Sequence, residues 1–142
     1  MLQFVTAEGS VARFVFNKRD LFADGRPKPK VFGPEWHPSF ERYETSVCGL
    51  NGTTDVRLWD LGCTVRASSD LTAIAVVDIH VADVVAAGLS CEPAPEKDYA
   101  EHGVILGWDN EPEAKDKRLA VQQDLVARLC AEAVRRRPSH SS

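Results

Sequence analysis

Apolar and polar positions mark out a series of short elements. VARFVF (11–16) is an apolar run with Arg13 inside it and predicts a strand. Its alternation sets Arg13 on one face with Val11 and Val15, and Ala12, Phe14 and Phe16 on the other. Farther on, Tyr43, Thr45 and Val47 alternate with Arg42, Glu44 and Ser46, as in a half-buried strand. NGTT then offers a turn and an N-cap at Thr53 or Thr54. DVRLWDLG predicts a short helix with Val56, Trp59 and Leu61 turned inward and Gly62 just past its end. TVRA (64–67) is a candidate strand, and LTAIAVVDI (71–79), the most apolar run and rich in β-branched residues, predicts a central one. HVADVVAAGL predicts a two-turn helix closed by Gly88. Leu89 to Glu92 predicts a short strand, PAPEKDYAE a polar loop and GVILGW (103–108) another strand.

The last expected element is a long helix from about Glu111 to Arg137. Asn110 and Glu113 have capping-box spacing, with Pro112 in the first turn. Leu119, Leu125, Val126, Leu129, Cys130, Ala133 and Val134 fall on one side of its wheel, opposite Lys117, Asp124, Arg128 and Arg135.

Residues 17–40 follow neither period. They hold Pro27, Pro29, Pro34 and Pro38 with Gly25 and Gly33, and basic Lys18, Arg19, Arg26, Lys28 and Lys30. Prolines at this density interrupt helices and ladders. A loop this long in a compact domain is often functional. Phe32 and Trp36 are expected to pin it to the core. The order strand, long loop, strand, helix, strand, strand, helix, strand, strand, helix predicts one α+β domain over 1–138. In it a mixed or antiparallel sheet packs against a long C-terminal helix plus two short helices. Residues 139–142 are expected to be a disordered tail.

Composition narrows the function classes. A chain of 142 residues, 44% apolar and 27% charged, is ordinary for one globular domain. A net charge of -4 argues against a protein whose main work is gripping nucleic-acid phosphates. No apolar run approaches the roughly 18 residues that span a membrane. MLQFVTAEGS lacks a basic stretch followed by a long apolar one, so no secretory signal is expected and a cytoplasmic location is. Cys48, Cys63, Cys91 and Cys130 form no CxxC pair. They are expected to be reduced thiols, with no structural zinc and no Cys–His nucleophile signature. The phosphate-cradling glycine motifs and GxSxG are absent, and no cofactor is expected.

Three residues stand out as candidate chemistry. His102 opens a strand just after a loop; as a general base it would need a carboxylate such as Asp78, Asp98 or Asp109 beside it. The plainer reading is a strand-edge histidine bonded to backbone. Arg13, inside a strand, is suited to a bidentate anion. Ser46 would add a hydrogen-bonding group. On the loop, Phe32, Trp36, His37, Lys28 and Lys30 are the candidate binding residues. His80, at a strand–helix junction, reads as a cap, and Arg135 to Arg137 as cations at a helix C-terminus.

Two resemblances bear on this. Thr45-Ser46 in a strand, with an arginine in an early strand, is similar to the layout of ADP-ribosyltransferases over a handful of residues, but their late glutamate motif has no clear counterpart. More broadly, RFVF, KVFGP after a proline-rich loop, TSV before a Trp-containing helix, GL before a Pro-rich turn and HGVILGW before a final helix resemble a group of small bacterial α+β proteins. That group carries Arg-Phe-x-Phe, Ala-Phe-x-Pro, Leu-Ser-Val and His-Ala-x-Ile-x-Gly-Trp stretches. The likeness spans most of residues 11 to 130 and implies an architecture without an activity. It departs after Ser-Val, where an arginine usually follows and Cys48-Gly49 stand here.

The leading expectation is a cytoplasmic accessory protein that acts with a protein partner and has no turnover chemistry. The alternative is an enzyme or binding domain for a nucleotide-like, phosphate-bearing molecule, using Arg13, Ser46 and His102. A third is a nucleic-acid accessory role for the basic loop 18–30. No membrane contact is expected.

Overall fold

The computed structural model describes residues 3–65 and 71–138. Its elements in chain order are β1 (Ser10–Val15), β2 (Glu35–His37), β3 (Arg42–Gly49), α1 (Asp55–Thr64), β4 (Ala75–His80), α2 (Val81–Ala86), β5 (Ser90–Pro93), β6 (His102–Leu106), α3 (Lys115–Ala127) and β7 (Val134–Arg136). The strands form one antiparallel sheet in the order β5-β6-β3-β1-β4-β7, with β2 added on β3. The fold is α+β.

Strand alternation divides the core as the sequence implies. Val11 and Val15 of β1, Val47 of β3 and Val77 of β4 turn to one face and pack with Val84 of α2 and Leu125 of α3. Ala12, Cys48 and Val76 turn to the other and pack with Leu58 and Leu61 of α1. Strand β4 is apolar almost throughout because it is covered on both faces.

One interruption of the sheet sets up the surface features. The registered pairs of β1 with β3 are Val11↔Gly49 and Ala12↔Cys48, whereas β1 pairs with β4 along its whole length, from Ser10↔His80 to Val15↔Ala75. Past Ala12 the loop takes over. Arg13 Nε donates to Val31 O at 2.7 Å, and its Nη1 donates to Ser46 O at 2.7 Å. Residues 17–40 are thus structured: two single-turn 3-10 helices, Lys18–Asp20 and Pro29–Phe32, precede β2, which pairs antiparallel with the start of β3.

Several expectations are corrected. The C-terminal helix stops at Ala127, and Val134–Arg136 form β7 on the edge of β4. An unpaired β4 edge would expose a row of backbone donors and acceptors, and that need outweighs the local helix preference of the AEAV segment. Arg135 to Arg137 are therefore strand and strand-end residues. The helix also begins late, at Lys115; Asn110 instead accepts from Tyr43 N through its Oδ1. Arg118 takes the inward place on the wheel, and Leu119 is exposed. Helix α1 runs through Gly62 to Thr64, so Thr64 is helical and not part of a strand, and Val56, expected to turn inward, is exposed while Leu58 is buried; positions 66–67 of that expected strand lie outside the described residues. Gly62 serves packing: a Cβ there would come within 2.9 Å of Ala73 Cβ. Gly88, with φ 91°, does follow the end of α2 as expected. The expected tail 139–142 lies outside the described residues. Phe32 is fully buried, but Trp36, expected beside it in the core, is 47% exposed.

Candidate functional site

The β2–β3 hairpin carries the most distinctive surface of the molecule. Its strands pair Trp36 with Tyr43 and His37 with Arg42 across the turn Pro38–Glu41, where Glu41 adopts φ 51°. Cross-strand partners share a face. On the first face the Trp36 ring meets the edge of Tyr43, centroids 5.2 Å apart, and Tyr43 in turn lies over the Arg118 guanidinium at 4.0 Å. Arg118 is buried and fixed: Nη1 donates to Asp109 O (2.8 Å) and Glu111 O (2.7 Å), and Nη2 to Pro112 O (3.4 Å). On the second face Phe40 stacks against His37 at 4.7 Å and lies under Arg42, 4.7 Å from its guanidinium carbon. Glu44 accepts from Arg42 Nε at 3.1 Å. Among the described residues the exposed aromatic rings are Phe22, Trp36 and Phe40, all within 17–40.

Arg13, Ser46 and His102 line one cavity of about 360 Å³ together with Tyr99. They do not pool their polar atoms. Arg13 uses Nε and Nη1 on backbone carbonyls, and its meeting with Ser46 is through Ser46 O. His102 is 8% exposed and bonds Ala94 O through Nδ1 at 2.7 Å, with the Tyr99 ring 5.1 Å away. The carboxylate beside it is Glu96, at 3.8 Å, and none of the three weighed from sequence. Asp78 pairs with Arg135, and burial nevertheless pushes its carboxyl above the ordinary range. Asp109 faces Lys117 at 3.9 Å, and Asp98 offers its backbone oxygen to Arg57. Asp20, Glu35 and Glu96 also line the cavity, which makes it a poor host for a phosphate. Burial also raises the Tyr99 hydroxyl, which donates to Val47 O at 3.5 Å.

The loop candidates separate. Trp36 and His37 are on the hairpin. Phe32 is core, so it can support a surface but not touch a partner. Lys30 pairs with Asp20 at 3.0 Å and Lys28 sits 5.6 Å from the Phe22 ring, where Arg26, itself paired with Asp24, also lies. The basic loop is thus partly neutralised by its own aspartates. Arg135 faces Asp55 and Asp78, and Arg137 donates to Ala73 O and Trp59 O, so neither stands ready for phosphate.

Phe40, Arg42, Tyr43 and Arg118 do not stand out as a unit in the sequence. The Pro38-Ser39 turn between Trp36 and Tyr43 was a usable hairpin signal; the burial of Arg118 had none. No Cys–His pair is evident in the sequence either, whereas the fold sets Cys130 Sγ 3.6 Å from His80 Nε2. His80 occupies the N-cap position of α2 but makes no side-chain cap there. Burial pushes the Cys48 thiol up to about 12 and Cys91 to about 11; Cys63 and Cys130 are exposed.

Among the described residues no three His, Cys, Asp or Glu side chains gather as a metal would require, and no helix is long and apolar enough to cross a membrane. No family model, curated protein or solved structure matches the chain.

Proposed function

We propose that this chain is a cytoplasmic accessory protein that binds a protein partner through the β2–β3 hairpin. The observation that carries this reading is the aromatic–cation stack on each hairpin face, Trp36–Tyr43–Arg118 on one and Phe40 with His37 and Arg42 on the other. Trp, Tyr and Arg are the residues that dominate binding energy at protein interfaces. Rings held rigidly before contact lose little conformational freedom on association. The exposure of Trp36 and Phe40, 47% and 61%, leaves apolar area that a monomer gains nothing by showing. The test is affinity capture with the wild type and with Trp36→Ala/Phe40→Ala, both shown to be folded. A partner held by the wild type and lost by the double variant supports the reading; an unchanged set of bound proteins contradicts it.

A second reading keeps the cavity that Arg13, Ser46 and His102 share as a small-molecule site. With Asp20, Glu35 and Glu96 around aromatic Phe14, Phe16 and Tyr99, it suits a neutral or cationic organic ligand better than a nucleotide. Thermal melts with nucleotides and with aromatic amines separate the two, since a ligand of the folded state raises the midpoint.

A further inference from the structure

Across β1 from the hairpin strand β3, three elements converge at one end of β4. His80 ends β4 and stands opposite Ser10 of β1 in the ladder. Its Nδ1 lies 2.9 Å from Ser10 Oγ. Its Nε2 lies 3.6 Å from the Sγ of Cys130, in the turn that follows α3. That turn is fixed by two backbone bonds, Ala133 N to Cys130 O at 3.1 Å and Asp78 N to Ala133 O at 2.9 Å. With Nδ1–H donating to Ser10 Oγ, the Nε2 lone pair faces the thiol. A thiol, a base and a group that orients the base are the arrangement that activates a nucleophile. The three sit at a cavity of about 280 Å³ that Ile79, Asp83, Leu129, Glu132 and Ala133 also line.

The charges select the reaction partner. Asp78 is held by Arg135 and Arg128 by Asp124, both at 3.0 Å, so Asp83 and Glu132 leave the lining acidic. A negative lining draws cationic molecules and repels anionic ones.

We propose that Cys130 is a thiol-exchange site, activated by His80, for small disulfides of neutral or positive charge. His80 Nε2 takes the thiol proton. Cys130 Sγ attacks one sulfur of the disulfide and a new S–S bond forms as the old one breaks. The departing thiolate takes the proton from His80 and leaves as a free thiol. Cys130 is oxidised to a mixed disulfide and half of the small disulfide is reduced. Of the other thiols, Cys48 is buried and Cys91 half-buried, and Cys63, exposed and 3.5 Å from the Arg137 guanidinium, has no histidine beside it among the described residues.

The experiment uses the full chain carrying Cys63→Ser and follows intact mass with time after addition of cystamine or oxidised glutathione, mapping the adduct by digestion. The expected result is a single adduct on Cys130, forming about tenfold or more faster with cationic cystamine than with anionic glutathione disulfide. The cystamine rate should exceed that of the same thiol in the urea-unfolded chain, and His80→Gln should lower it about tenfold or more. A folded-state rate no higher than the unfolded one, an adduct on Cys91 in preference to Cys130, or a folded His80→Gln variant that reacts as fast as its parent overturns the proposal. Ser10→Ala provides a milder variant: a partial slowing supports the relay, and an unchanged rate removes Ser10 from it.

Discussion

The guanidinium carbon of Arg118 lies 4.0 Å from the centre of the Tyr43 ring. That contact joins α3 to the β2–β3 hairpin, and its cation is held in place by the oxygens of Asp109, Glu111 and Pro112. A charge this deeply buried is tolerated because its donors are occupied, and the ring face supplies further negative potential.

Arg118→Ala therefore removes more than a side chain. It takes the guanidinium donors from the part-buried carbonyls of Asp109, Glu111 and Pro112, and hydrogen bonds to charged groups contribute about 1.5–3 kcal/mol each in favourable cases, so a loss of about 2–4 kcal/mol in all is expected. Urea unfolding checks it: the midpoint should fall with little change in slope. Arg118→Lys, which keeps the charge but not the fork, should recover only part. Full recovery by lysine would mean that charge alone, and not bidentate geometry, fixes the stack.

Arg13 bridges the opening between β1 and β3. Arg13→Ala should cost about 1.5–3 kcal/mol, the range for charge-assisted hydrogen bonds. The effect should be local as well as global: amide exchange should accelerate across Val31 to His37, the segment whose anchor at Val31 O is lost. Exchange that is unchanged there while the whole protein weakens would place the role of Arg13 elsewhere.

Glu101, just before β6, is joined to Arg57 of α1 through two hydrogen bonds, at 2.6 and 3.1 Å. The Arg57 guanidinium holds the Glu101 carboxyl below its ordinary value, against the opposing effect of burial. A carboxyl depressed in the folded state binds its proton more readily when unfolded. Its contribution to stability is complete above the ordinary value of 4.5 and is lost as pH falls through the lower folded value. Glu101→Gln should flatten the acid limb of the stability profile below about pH 5. An acid limb as steep as that of the wild type would assign acid sensitivity to other carboxylates.

His102→Ala should lower stability by about 1 kcal/mol, the worth of an ordinary hydrogen bond to a backbone oxygen. If His102 serves only Ala94 O, no ligand that stabilises the wild type should lose its effect in this variant. A ligand whose thermal shift vanishes in His102→Ala would revive the small-molecule reading of the cavity.

The local part of this fold was legible in the sequence, and the non-local part was not. Strand β4 announced itself through AVVDI, because a strand covered on both faces has apolar residues on both. Arg13, Val11 and Val15 were correctly placed on one face by alternation alone. Strand β7 was hidden: Ala131 to Val134 favour a helix locally, and only the open edge of β4, more than fifty residues away, makes Arg136 pair with Ala75. Gly62 looked like a helix end because the residue it must approach, Ala73, stands eleven positions farther along the chain. The same limit governs the sites. Trp36 and Tyr43 flank a Pro-Ser turn and could have been paired, but nothing near Arg118 tells that its partners are carbonyls six to nine residues earlier. Cys130 and His80, fifty residues apart, meet only because β7 folds the chain back onto β4.

The central claim, that the hairpin tip is where a partner sits, is tested most directly by site-specific photo-crosslinking in the cells that make the protein. A photoreactive aromatic residue replaces Phe40 in one variant and Val56, on the exposed side of α1, in another; both positions are more than half exposed. Replacement at such positions should change stability by no more than about 0.5 kcal/mol. The account predicts a discrete protein adduct from position 40 and none from position 56. Adducts of equal yield from both positions, or from position 56 alone, would contradict it.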